Sequence, residues 1–210
     1  MCPEPARRPC SGSLSIDSVD ATTGHVQLAL VQSWSSPAEG KSAAHAAAAM
    51  RGVRIAALLA FAMWVAYYMR ETEPLLHGSL LIFHEAGHIL FMPFGEFMMV
   101  LGGSLFQLMV PAFFTAYFAL RRDWYAASFA ALYLAASFAG VAIYIADARA
   151  GELPLLGGER SNHDWTFLLI ELEMLELDTT IGWYVMRIGG LFFWAALATG
   201  GYFAWYGRRT

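Results

Sequence analysis

The run His84-Glu85-Ala86-Gly87-His88 is where residue types and spacing together describe a reaction centre. Two histidines four apart on a helix share a face, so both imidazoles reach one divalent ion. Zinc suits two neutral imidazoles completed by a carboxylate or a third histidine, with a further position left open. A water on such an ion has its pKa brought down towards about 7. Glu85, beside the first histidine, is placed to take that water's proton and pass it to a leaving group. The competing use of the same residues is a polar helix–helix contact, with the imidazoles hydrogen-bonded to neighbouring helices.

The elements that carry these residues read as membrane spans. Of 210 residues, 58% are hydrophobic and 14% charged, about half the charge of a typical soluble domain. The apolar residues come in long blocks: Val53 to Met69, Leu75 to Phe94, Phe97 to Leu120, Trp124 to Ala146 and Ile181 to Tyr206. Each is near the ~20 residues that cross ~30 Å of hydrocarbon as a helix. The fold class is therefore all-α: a polytopic membrane helix bundle of about five spanning helices. A further segment, Trp165 to Leu177, alternates apolar positions with Glu171, Glu173 and Glu176. It reads as an amphipathic helix lying on the surface or folded back into the protein. His84, Glu85 and His88 fall inside the second span, where charged types cost on the order of 2.5–3.5 kcal/mol each unless something binds them.

Residues 1–49 read as a disordered tail or a mis-assigned start, with Met50 as the alternative first residue, and residues 50–210 as the membrane domain. No basic region precedes an adequate apolar stretch, so a signal peptide is not indicated. Cys2 and Cys10 both lie in the tail, which excludes a thiolate metal site in the body of the chain. A formal charge of -4 without a basic tract argues against nucleic acid and leaves the lipid bilayer as the evident partner. With the spans followed in turn, Arg70, Arg121, Arg122, Arg208 and Arg209 lie on one side. Lys41, Arg51, Arg54, Arg149 and Arg160 lie on the other, and this five-against-five split gives no orientation.

Alternation also identifies what returns to the depth of the histidines. His88 lies near the exit of its span, and the third span brings Gly102, Gly103, Ser104 and Gln107 back to that depth. Gln107 and Ser104 share a face and are candidates to orient a substrate carbonyl or a water; close helix packing is the other reading of this segment. The fourth span ends on the same side. Three residues are thus candidates for the third ligand: Asp147 at the end of that span, favoured, and His163 and Asp164 beyond the loop. Asp164 also suits the cap of the helix starting at Trp165. His77, seven residues or ~10 Å before His84, is too far to join the site and reads as an interfacial histidine.

The run HEAGH, then PFGEFM, GGSLFQ with a following Pro, YIADAR, LPLLGG and HDW resembles a family of uncharacterised bacterial integral membrane proteins, over about Leu75 to Asp178. More loosely, a zinc motif in a spanning helix is similar to the site-2 protease family of intramembrane metalloproteases. That resemblance implies His84 and His88 as ligands, Glu85 as base, Asp147 as the completing aspartate, and a bacterial inner membrane. Ile145-Ala146-Asp147-Ala148 stands where that family has an L-D-G context after N-x-x-P, and no substrate-binding domain is inserted between spans. The leading expectation is a zinc-dependent intramembrane peptidase, with Glu85 and Gln107 as catalytic residues and a membrane peptide as substrate. The alternatives are a lipid amidase or hydrolase using the same zinc, and a non-enzymatic metal-binding membrane protein.

Overall fold

A computed structural model describes residues 37–71, 74–153 and 163–207. Every element among them is helical: α1 (Pro37–Tyr68), α2 (Pro74–Phe91), α3 (Glu96–Leu120), α4 (Trp124–Ala146), α5 (Asp164–Glu171) and α6 (Asp178–Tyr206), with 3-10 turns at Met92–Phe94 and Leu175–Leu177. Five of these helices are long and apolar enough to cross a membrane, which makes the chain a polytopic integral membrane protein. The chain divides into two units, Met1–Ala49 and Met50–Thr210. In the first, residues 37–49 are the opening turns of α1, so the helix begins upstream of Met50 rather than at it. The rest of the tail, with Cys2 and Cys10, lies outside the described residues, as do Arg160 and, in the loop, all of the LPLLGG run after Leu153.

In the second unit, α4 is the central helix. Its alanines 127, 131, 135, 136, 139 and 142 are buried, and α6 lays a glycine face against them. A Cβ built on Gly182 would lie 2.7 Å from the Ala142 carbonyl oxygen, and one on Gly200 would lie 2.5 Å from Ser128 Oγ. Lipid tails are as apolar as the side chains, so van der Waals contact between small residues holds such a pair together. The contacts run from Gly182 at Ala142 to Gly200 at Ser128, which makes α6 antiparallel to α4.

The first two helices do not alternate. Tyr125 donates to the Arg54 carbonyl oxygen at 2.9 Å, Phe61 packs on Phe129, and the Tyr68 hydroxyl lies beside Gly140. Thus α1 runs parallel to α4. Ser79 meets Tyr133 at 2.8 Å and the His84 ring meets Tyr144, so α2 runs parallel to α4 as well. The junction of α1 and α2 consequently sits beside the middle of α4, where the Tyr68 hydroxyl meets His77 Nδ1 at 3.4 Å. His77 is therefore not interfacial. Arg51 stacks on Trp205 and Arg54 on Tyr125, which puts both at the Arg121–Arg122 end and overturns the even split of charge.

After Trp165 the amphipathic helix is shorter than its apolar period suggested. It stops at Glu171, and Glu173 turns the chain with φ 56 before the 3-10 turn into α6. Leu168 and Leu169 are buried, so α5 folds back onto the bundle.

Candidate metal centre

Two features bring α2 and α3 close enough to build the site. Gly87 has no side chain, and a Cβ there would run into the Gly102 carbonyl oxygen. Gly103 lies against the imidazole pair: a Cβ there would stand 2.7 Å from Nε2 of both His84 and His88. His88 Nδ1 lies 2.9 Å from the Met99 carbonyl oxygen, an atom that can only accept. The proton of neutral His88 is therefore on Nδ1, which leaves the Nε2 lone pair aimed into the site.

Asp164 faces that lone pair. Its Oδ2 lies 2.9 Å from His84 Nε2 and 3.2 Å from His88 Nε2. A carboxylate oxygen directed at an imidazole lone pair is repulsive unless a proton or a cation lies between them. The ligand atoms of a tetrahedral zinc with bonds of about 2.0 Å are about 3.3 Å apart. The spacing of these three atoms, together with the glycine cradle, fits a divalent cation. With no cation between them, burial disfavours the Asp164 carboxylate, yet protons on the facing nitrogens of His84 and His88 outweigh it and hold its pKa at about 2. The group is thus an anion at neutral pH. Ligand-type atoms of His84, Glu85 and His88 lie within 4.8 Å of one another, so the Glu85 carboxylate belongs to the same cluster as both imidazoles.

Three bonds hold Asp164 in place. Its backbone N–H donates to Tyr144 Oη at 3.2 Å, Trp165 Nε1 donates to Ser104 Oγ at 3.0 Å, and Thr166 Oγ1 donates to the Ala148 carbonyl. Ser104 is thereby occupied in securing α5. Gln107 lies one helical turn from Gly103, and its Nε2 is directed at the Ser137 carbonyl oxygen at 3.4 Å.

Asp147 does not meet the histidines of α2, contrary to the reading that favoured it as third ligand. Its two carboxylate oxygens accept from the backbone N–H groups of Glu152 and Leu153, at 3.0 and 3.1 Å, and so close the turn after α4. His163 is also turned away from the site. It caps α5, with Nδ1 accepting from the Thr166 N–H at 3.3 Å, so the cap expected of Asp164 belongs to its neighbour. His163 Nε2 comes within 3.3 Å of Asp147 Oδ2 and has no hydrogen-bond partner among the described residues, while the ring packs on that of Tyr144. Burial lowers the His163 pKa more than Asp147 raises it.

The site opens into a cleft of about 570 Å³, lined by Glu85, Glu96 and Tyr144 near the histidines and by Gln107, Tyr68 and His77 farther along. Its walls are otherwise apolar, including Leu80, Val100, Val141 and Phe167. Two contributors carried no signal in the sequence: Tyr144, which stands there only as part of the end of the fourth span, and the Met99 carbonyl. No family model, curated protein or solved structure matches the chain.

Proposed function

We propose that the chain is a membrane-embedded, zinc-dependent hydrolase, acting in a bacterial inner membrane on a peptide bond that reaches the cleft from the bilayer. His84, His88 and Asp164 are the zinc ligands of this reading, and Glu85 is the general base. The observation that carries it is the convergence of Asp164 Oδ2 on both Nε2 atoms, at 2.9 and 3.2 Å, beside a cleft that Glu85 lines.

Zinc bound there would supply Lewis acidity, making a water acidic enough to attack at neutral pH. Glu85 accepts the water's proton and returns it to the leaving nitrogen, a role worth about 10²–10⁴ in rate. Tyr144, near Asp164, has a hydroxyl on the cleft wall that can donate to the carbonyl oxygen as negative charge develops on it. Gln107, one turn away, suits a neighbouring polar group of the substrate better than the reacting carbonyl. The apolar walls favour a second substrate for the same chemistry, an acyl lipid with an amide or ester bond.

The test is metal analysis and turnover on the purified protein in detergent, with a membrane-segment peptide and an N-acyl lipid as substrates. About one zinc per chain is expected, retained in Glu85→Gln while turnover falls by about 10²-fold or more. Well-folded protein that takes up no zinc when zinc is supplied would refute the reading. Zinc retention with unchanged turnover in Glu85→Gln would remove Glu85 from the chemistry.

A further inference from the structure

The parallel course of α1 and α2 gives the bundle two chemically different ends. One gathers Arg51, Arg54, Arg121 and Arg122. Arg51 lies over the Trp205 ring at 5.8 Å, Arg54 over Tyr125 at 5.7 Å and Arg121 over Tyr117 at 5.5 Å. Trp124 stacks on Phe203 at the same level, so the arginines stand in a belt of the aromatic residues that favour a membrane–water interface. Asp123 is the acid there among the described residues, and it caps α4 by accepting from the Ala126 N–H. In sequence, Arg208 and Arg209 follow directly after α6, the helix that ends at this level.

The other end carries the candidate metal centre and is acidic, with Glu96, Glu152, Glu171, Glu173 and Glu176 around it. Among the described residues its arginine is Arg149, and in sequence Arg160 falls in the loop between α4 and α5. Arg149 is held by Asp178 at 2.7 Å and Glu176 at 2.8 Å, and Arg187 lies on α6 over the Trp183 ring. Arg70, beside the α1–α2 junction, and Arg187, between the Gly182 and Gly189 contacts on α4, lie at intermediate height and belong to neither end. Arginine and lysine flanking spans are retained on the cytoplasmic side, whereas acids contribute little to orientation.

From this asymmetry we infer that the Arg51, Arg54, Arg121 and Arg122 end faces the cytoplasm and its anionic leaflet. The cleft with His84, His88 and Asp164 then opens towards the opposite, extracytoplasmic side. Under the hydrolase reading, substrate arrives from the outer leaflet or the space beyond it. The orientation itself does not depend on that reading, since it follows from the arginines and the helix directions alone. Met50, at the start of the second unit, and Tyr206, at the end of α6, lie on the same side.

Single cysteines test this in a background where Cys2 and Cys10 are serine, in intact cells, with a membrane-impermeant maleimide. Glu152→Cys, at the site end, is expected to label in intact cells. Leu120→Cys, exposed at the arginine end, is expected to label only after permeabilisation. A second measurement is independent of those variants: green fluorescent protein fused after Thr210 should fluoresce, and alkaline phosphatase fused there should be inactive. The reverse pattern would overturn the proposal, and so would labelling of both cysteines in intact cells, which signals mixed insertion. None of these readouts uses metal or turnover, so failure here and failure of the hydrolase reading are separable.

Discussion

Two aspartate–histidine pairs lie within one short stretch of the site end, and their surroundings differ. Asp147 and His163 are buried, and each is engaged with backbone. The Asp147 oxygens accept from two N–H groups of the following turn, and His163 Nδ1 accepts from the first turn of α5. Asp164, by contrast, directs one oxygen at two imidazole nitrogens at the edge of a cleft. Residue type therefore does not decide which carboxylate is free to face a cation. What decides it is how many of the carboxylate's lone pairs the local backbone has already taken.

The largest effect expected from breaking this contrast is on metal affinity. Asp164→Ala should weaken zinc binding by well over the roughly 10–100-fold typical of losing a supporting group. Asp147→Ala should leave the metal in place and instead lower stability by about 1–3 kcal/mol, because two N–H groups of the turn lose a charged acceptor. Isothermal titration with zinc and thermal unfolding in detergent separate the two outcomes. Equal loss of zinc in both variants would erase the distinction.

Next in size is the cradle. Gly103→Ala puts a methyl group against both Nε2 atoms and should cost about tenfold or more in zinc affinity, through displacement of the imidazoles. Gly190→Ala, where nothing lies within 4 Å, is the matched control and should bind zinc as the parent does. Zinc titration of the two variants side by side reads the difference.

The smallest effect concerns pH and sharpens the closed pair. His163 caps α5 through an unprotonated Nδ1, and burial lowers its pKa from the usual value of about 6.5. The unfolded chain then takes up this proton first. The His163 contribution to stability is complete above about pH 6.5 and is lost as pH falls from there towards the folded value. His163→Asn keeps a cap without the titration. Its unfolding temperature should fall less than the parent's between pH 7 and 5.5, and identical slopes would dismiss this role.

Much of the framework was legible in the sequence because lipid as solvent demands long apolar runs. HEAGH on α2 and the return of Gly102 to Gln107 on α3 followed from helix period and depth. The direction of α1 was not legible. Arg70-Glu71-Thr72-Glu73 has the composition of a surface loop, and nothing in it says that the next helix continues the same way. The roles of Asp147, His163 and Asp164 were hidden for a related reason: which of them caps and which faces the cleft depends on the path of the backbone between helices. Tyr144 was missed because its tie is to a backbone N–H, a partner that no side-chain pattern reveals.

X-ray absorption at the zinc edge tests the central claim most directly, applied to the zinc-loaded parent protein and to Asp164→Ala and Asp147→Ala. The account predicts two imidazole nitrogens with oxygen ligands at about 2.0 Å in the parent. It predicts the same spectrum in Asp147→Ala, and loss of the metal or an altered oxygen shell in Asp164→Ala. A shell without imidazole, or one that changes with Asp147 and not with Asp164, would contradict it.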